Sequence, residues 1–229
     1  MLSDNVKNIQ EKVKKAAKEA HRLPEDVTIL AVTKYVTADV ALELVHLGMK
    51  NLAENRSELL LEKKQALANE DITWHLIGNL QRRKVKNVIN EIDYFHALDS
   101  FRLATEINKR AEKVINCFVE VNISKEVTKH GFAIGEVQDF IHSLKEFENI
   151  RIVGLMTMAP YDATDDELHL YFSTLKQLQV EIAELKLAHA PCTELSMGMS
   201  KDFPIAIMEG ATFVRIGTAF FQDISKEGN

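Results

Sequence analysis

The 229-residue sequence predicts a single (β/α)8 barrel preceded by an extra N-terminal helix. Three observations lead there. Eight short apolar segments alternate with helical patterns along the chain, and no linker rich in Pro, Gly or Ser interrupts them. Several segments are rich in Val, Ile, Phe and Thr and lack a polar alternation, as strands covered on both faces do. The length matches the small end of the range for such barrels, and a 46% hydrophobic composition is enough for a sizeable core. A doubly wound open sheet shares the alternation and is the rival architecture. The whole of 1–229 reads as one domain, with the N-terminal helix over about 2–21 and the barrel over about 27–221.

In the opening stretch Val6, Ile9, Val13, Ala16, Ala17 and Ala20 recur at spacings of three and four among lysines and acids, which predicts an amphipathic helix packed on the domain. The strands are expected at Val27–Thr33, Asn51–Glu54, Thr73–Ile77, Tyr94–Leu98, Cys117–Ile123, Ile150–Thr157, Glu194–Ser196 and Phe213–Ile216. The second and seventh rest partly on the rhythm of alternation. After the first strand, Val40, Ala41, Leu44, Val45 and Leu47 form a helical stripe, opened by Thr37 as N-cap and closed by Gly48. Leu59, Leu60, Lys63, Ala66 and Leu67 form the next. The clearest helix opens at Thr164, whose spacing to Glu167 fits a capping box, and continues through Leu168, Tyr171, Phe172, Leu175, Leu178, Ile182 and Leu185. A further helix is expected from about Lys201.

Composition removes several functional classes. The formal net charge of −6 gives no general basic surface for nucleic acid or an anionic membrane. The basic run Arg82, Arg83, Lys84 and Lys86 reads as a solvated helix face. No apolar run approaches the ~18 residues of a membrane span, and the charged first turns do not resemble a secretion signal, so a cytoplasmic protein is expected. Two cysteines, Cys117 and Cys192, are too few for a disulfide framework and are expected as buried reduced thiols. Dinucleotide and P-loop glycine motifs are absent, and the eight histidines show no metal-ligand spacing.

A barrel carries its chemistry at the C-terminal strand ends. Lys34 directly follows Ala31-Val32-Thr33 there. If it points inward, Leu30 and Val32 do too, and it is a candidate amine nucleophile for a carbonyl compound. Ser196-Met197-Gly198-Met199-Ser200 and Val214-Arg215-Ile216-Gly217-Thr218 form the ends of strands seven and eight, where such barrels recurrently bind phosphate. Gly198 and Gly217 allow close backbone approach, Ser200 and Thr218 carry hydroxyls, and helix N-termini following these strands would add N–H donors. Arg215, pointing inward, would lie toward Lys34 across the closing seam. Its alternative is a structural ion pair with Glu54 or Glu120.

These residues carry a resemblance. Ala31-Val32-Thr33-Lys34, Glu54-Asn55, Trp74-His75-Leu76-Ile77-Gly78 with Leu80-Gln81, Val121-Asn122-Ile123-Ser124, Gly154-Leu155-Met156 and the two C-terminal segments resemble, in this order, the YggS/PROSC family of pyridoxal-phosphate-binding proteins. That family is similar to the N-terminal barrel of alanine racemase, the type III fold of pyridoxal phosphate proteins. The resemblance runs from about Val27 to Thr218. It implies pyridoxal 5'-phosphate as cofactor, with Lys34 as the Schiff-base lysine and Arg215 facing the pyridine nitrogen. It also implies Ser200, Gly217, Thr218 and Ser196 as phosphate-binding positions, with Asn55 and His75 lining the pocket. Thr33, Ala53 and Asn79 depart from the family's usual serine, glycine and proline, and no glycine follows Phe220-Phe221.

The implied role is holding the cofactor in vitamin B6 homeostasis, not turning over amino acids. A cationic Arg215 disfavours protonation of a ring nitrogen, which lowers the expectation of electron-sink chemistry. A racemase needs an acid/base group on each face of the substrate carbon. With eleven residues after Thr218, the sequence holds no room for the racemases' additional C-terminal β domain, which supplies one of them as a tyrosine. Tyr35 and Tyr161 are the substitutes to consider for an amino-acid racemase, the alternative function. A monomer is expected, with transient contact to pyridoxal-phosphate-dependent apoenzymes as the partner reading. A glycosidase using Glu54, Asp99 or Glu120 ranks below both.

Overall fold

The computed structural model describes residues 1–124, 126 and 130–222. Eight parallel strands close into a barrel in the order β1 to β8, with β1 paired to β8. The strands are β1 (Thr28–Val32), β2 (Asn51–Glu54), β3 (Thr73–Leu76), β4 (Tyr94–Leu98), β5 (Ile115–Glu120), β6 (Ile150–Met156), β7 (Glu194–Met199) and β8 (Phe213–Ile216). The helices are α1 (Leu2–Glu19), α2 (Ala38–His46), α3 (Ser57–Ala66), α4 (Arg82–Val88), α5 (Phe101–Arg110), α6 (Val137–Ser143), α7 (Asp165–Glu184) and α8 (Phe203–Met208). Closure excludes the open sheet. No helix among the described residues is long and apolar enough to cross a membrane.

Local chemistry sets the helix ends. Thr37 accepts a hydrogen bond from the Val40 N–H, and Gly48 ends the turn after α2 at φ +94°, where a side chain would be strained. The capping box at α7 forms in both directions: Glu167 N–H donates to Thr164 Oγ1 at 3.3 Å, and Thr164 N–H donates to Glu167 Oε2 at 2.8 Å. The face of α1 carrying Leu2, Val6, Ile9, Val13, Ala16 and Ala17 is buried, while Ala20 lies just past the helix. Asn5 on α1 donates its amide to the carbonyls of Phe220 and Gln222, so the first helix pins the chain that leaves β8. The basic run on α4 is a surface feature: Arg82, Arg83 and Lys86 are exposed, and Lys84 pairs with Glu58.

The barrel interior is packed. His75 stacks on Tyr94 with centroids 4.7 Å apart, His96 on Phe118 at 4.3 Å, and Phe118 meets Phe213 edge-on at 5.3 Å. These contacts cross from β3 and β5 to β4 and β8, so all five rings point inward. Cys117 and Cys192 are buried free thiols, and burial pushes Cys192 up to about 12.

β1, β3 and β6 end within one residue of expectation, and larger shifts occur in three elements. β7 runs to Met199, past the expected end at Ser196. β5 starts two residues early and ends at Glu120, because Val121 leaves the ladder to bridge Phe132. The helix expected from about Lys201 begins at Phe203 and has six residues.

Candidate functional site

The register places the strand-end residues. Leu30 is opposite Arg215 and Val32 is opposite Ala53. Parallel partners share a face, so the inward set on β1 is Leu30 and Val32. Lys34 follows two residues beyond Val32 at the C-terminal end of β1, in the turn that the Val36 N–H closes onto the Thr33 carbonyl. It is partly exposed, pairs with no carboxylate among the described residues, and its Nζ lies 4.7 Å from the Tyr35 ring centroid.

Arg215 is 4% exposed inside the barrel. One terminal nitrogen donates to Ser196 Oγ at 2.7 Å and the other to the Thr157 carbonyl at 2.8 Å. Burial brings its guanidinium down to about 10, opposed by the charges of Asp202 and Glu120, so it stays cationic at neutral pH. The ion-pair alternative is corrected: among the described residues Arg215 forms no salt bridge with Glu120 or Glu54, and its hydrogen bonds go to Ser196 and Thr157. Glu54 faces the other way, outside the barrel wall, where it accepts from Thr33 Oγ1 at 2.6 Å and from Lys63 of α3. Asn51 and Ala53 are the inward residues of β2, so alternation turns Glu54 outward. That also removes Glu54 from any pair of facing carboxylates. Burial raises the Glu120 carboxyl, and Asp99 adds to the rise.

Below the mouth runs a string of hydrogen bonds that composition did not reveal. His96 Nδ1 is 2.8 Å from Ser196 Oγ, His96 Nε2 is 3.0 Å from His75 Nδ1, and His75 Nε2 is 3.0 Å from Asn51 Oδ1. Burial lowers His75 to about 3; burial, then the nearby His75 and Arg215, lowers His96 well below its ordinary value. Both rings are neutral, and this fixes each proton. Asn51 Oδ1 only accepts, so His75 carries its proton on Nε2 and accepts at Nδ1. His96 must then donate from Nε2 and accept at Nδ1 from the Ser196 hydroxyl. Ser196 in turn accepts from Arg215. Every bond points one way, from Arg215 at the mouth to Asn51 at the floor. His75, expected to line the pocket, and Ser196, expected at the phosphate, are 0% exposed and reach the mouth only through this string; the Ser196 hydroxyl is taken up by His96 and Arg215.

The loops after β7 and β8 meet. Ser200 Oγ receives the N–H groups of Gly217 at 3.2 Å and Ala219 at 3.3 Å, so two main-chain donors converge on one oxygen position at the seam. Thr218 is exposed between them. Gly198, at φ +91°, lies against α8: a Cβ there would come within 2.6 Å of the Ala206 Cβ. The expected helix N-termini do not supply the donors. Described residues after β8 form a turn closed by Phe220 N–H to the Gly217 carbonyl, and Asp202 occupies the N-cap of the short α8, accepting from the Met199 N–H.

Asn55 sits at the end of β2 with its Oδ1 buried and unpaired. Glu120 Oε2 and Asn122 Oδ1 at the end of β5 are also buried without partners. Glu54 Oε2, behind the wall, is the fourth such atom. Buried polar atoms rarely go unpaired, and those at the ends of β2 and β5 have acceptor capacity left for a polar ligand. A second opening of about 790 Å³ lies at the N-terminal end, lined by Thr28, Tyr94, Glu194 and Phe213 among others. Its lining holds no lysine, cysteine or serine, and it lies at the face that serves stability in such barrels. No cluster of metal-ligating side chains occurs among the described residues.

The sequence model for the alanine racemase N-terminal domain matches residues 5–224. The chain belongs to that family. Within the alanine racemase N-terminal domain family, it is similar to the pyridoxal phosphate homeostasis protein of Aquifex aeolicus, at 37% identity over 95% of this chain and 96% of the relative. The protein of the same name from Escherichia coli K12 is 32% identical over 99% of both chains. Among solved structures, PipY of Synechococcus elongatus with pyridoxal phosphate bound superposes with a TM-score of 0.83 at 28% identity, covering 96% of this chain and 100% of that one.

Proposed function

We infer that this chain binds pyridoxal 5'-phosphate at the C-terminal mouth of its barrel and serves pyridoxal phosphate homeostasis, with little or no turnover of amino acids. The observation that carries the reading is the arrangement of three groups around one mouth: an amine at Lys34 without a carboxylate partner among the described residues, a buried guanidinium at Arg215, and the converging N–H groups of Gly217 and Ala219. They match the three chemical ends of this cofactor. Its aldehyde condenses with a primary amine with loss of water, which is the chemistry it brings when bound. Arg215 would face the ring nitrogen and, as a fixed donor, hold that nitrogen unprotonated. Ser200, Gly217, Thr218 and the Ala219 N–H would take the phosphate, where the Ser200 hydroxyl already marks an oxygen position. Asn55 would pair its free Oδ1 at the rim. His75 and Ser196 would act one layer down by orienting Arg215. The full-length likeness to proteins named for pyridoxal phosphate homeostasis supports the same reading.

The residues also argue against racemisation. Beyond Lys34 a second acid/base group must stand over the opposite face of the ring. Tyr35 and Tyr161 are each 81% exposed, and the Tyr161 ring lies under the Lys201 ammonium at 3.3 Å. Neither is held inward.

Adding pyridoxal phosphate to the protein should produce an absorbance band that borohydride removes, leaving a stable adduct on Lys34 by peptide mass. Lys34→Ala should lose the adduct; an equal adduct yield in that variant would overturn the site. Exchange of the α-hydrogen of amino acids in deuterated water should not exceed that of Lys34→Ala; sustained turnover dependent on Lys34 would overturn the non-catalytic reading. Arg215→Ala should shift the band and weaken binding by about tenfold to a hundredfold, the scale of a lost charge-assisted hydrogen bond. An unchanged titration would remove Arg215 from the ring-nitrogen role.

A further inference from the structure

Behind the barrel wall, on the face of β1 turned away from the mouth, Thr33, Glu54 and Lys63 form a buried charged cluster. Glu54 is 0% and Lys63 5% exposed. Lys63 Nζ donates to Glu54 Oε1 and to the Thr33 carbonyl at 2.5 Å, while Thr33 Oγ1 donates to the same carboxylate oxygen. Glu54 Oε2 has no partner. Burying two ions costs several kcal/mol each, and apolar side chains of similar volume often serve stability as well or better. Packing α3 on the sheet therefore does not require this pair.

The cluster holds one carbonyl that an apolar pair could not hold. Thr33 N–H donates to the Ala53 carbonyl at 3.1 Å, the last ladder bond between β1 and β2. In a continued parallel ladder the Thr33 carbonyl would receive the Asn55 N–H. Here it receives the Lys63 ammonium, together with the Val36 N–H at 3.1 Å, which closes the turn from Thr33 to Val36. The nitrogen of that same peptide belongs to Lys34. At its other end the cluster holds Glu54, which immediately precedes Asn55. The two strand ends that present Lys34 and Asn55 are thus tied from behind by one ion pair.

We propose that Lys63 and Glu54 are positioning residues for Lys34: their buried pair clamps the Thr33–Lys34 peptide and sets the approach of the amine to the aldehyde it captures. The inference rests on pyridoxal phosphate binding at this mouth. Lys34 captures the aldehyde with loss of one water; the clamp touches neither the phosphate loops nor Arg215. It therefore acts mainly on the covalent step and leaves recognition by the phosphate loops and Arg215 alone.

The test separates the two on the full-length chain. Pyridoxal phosphate measures capture, as the rate of borohydride-trapped mass on Lys34. Pyridoxine 5'-phosphate, an alcohol that cannot condense, measures recognition alone. Lys63→Met should slow trapping by about tenfold, the scale of a small misplacement of a reacting group. Its affinity for pyridoxine phosphate should change by less than about threefold, because the phosphate loops and Arg215 lie outside the clamp. Glu54→Gln keeps the shape but removes the charge, and covers the case in which Lys63→Met does not fold; slower trapping with retained pyridoxine phosphate affinity is expected there too. Unchanged trapping in a folded variant would overturn the clamp. So would a parallel loss of both readouts, which is what a merely structural role produces. Failure of the unaltered chain to bind either compound would instead overturn the reading of the mouth, and the clamp with it.

Discussion

Lowering the pH from about 6.5 to 5 should cost the fold about 3 kcal/mol through two histidines, each approaching about 1.4 kcal/mol per pH unit once the unfolded ring is mostly protonated. His75 and His96 are enclosed in the barrel as neutral rings, His75 held down to about 3 and His96 well below its ordinary value, burial being the first cause of both. The unfolded chain protonates both near pH 6.5, whereas the folded chain does not. Below that pH the unfolded state binds more protons, so stability falls as pH falls, down through the folded values; above about 7 the contribution is constant. Burial raises Glu120 and Asp202, which act in the opposite sense, so the comparison that isolates the histidines is between variants. Urea unfolding at the two pH values should show the loss in the unaltered chain. In His75→Gln, whose amide can still accept from His96 and donate to Asn51, about half of the slope should disappear. The same slope in both proteins would show that these rings are not neutral in the native state.

Gly78→Ala should be severely destabilising, by about 3 kcal/mol or more, at the upper end of overpacking. A Cβ at this position would stand 2.1 Å from the Asn55 carbonyl oxygen and 2.8 Å from its carbon. These are main-chain atoms at the end of β2, and the neighbouring ladder bond from Ile77 N–H to the Glu54 carbonyl allows little retreat. Gly48→Ala is the control. It has open space around its Cβ but φ +94°, so only the conformational penalty of about 1 kcal/mol applies. Because Gly78 abuts Asn55, its substitution should also weaken pyridoxal phosphate capture, which Gly48→Ala should leave intact. Thermal melts with the borohydride assay measure both. A Gly78→Ala protein as stable as Gly48→Ala would contradict the close approach.

Periodicity made most of the barrel legible. β2, β4 and β8 occupy their expected ranges, and Thr37 and the Thr164–Glu167 pair cap the helices they were expected to cap. Alternation also places Arg215 on the inner face. What it leaves out depends on closure. His96 sits in an apolar strand and gains meaning only when the barrel brings it between His75 and Ser196, from strands far apart in sequence. Lys63 falls on a helical stripe, but its burial is intelligible only once Glu54 and the Thr33 carbonyl come from other elements. The pairing of Arg215 with Glu54 failed for a local reason: position 54 follows the inward Ala53, so its side chain turns out. Asp202 and the Ala219 N–H were missed because loop conformation, which carries no period, determines them.

The two enclosed thiols give the protein a built-in clock for opening. Cys117 lies within β5 and Cys192 just ahead of β7, both sealed from solvent and raised by burial, so an alkylating reagent has no reactive sulfur to find in the closed barrel. Labelling at either position would therefore count excursions in which the wall parts. Comparing the two counts would tell whether the barrel breathes as one body or strand by strand.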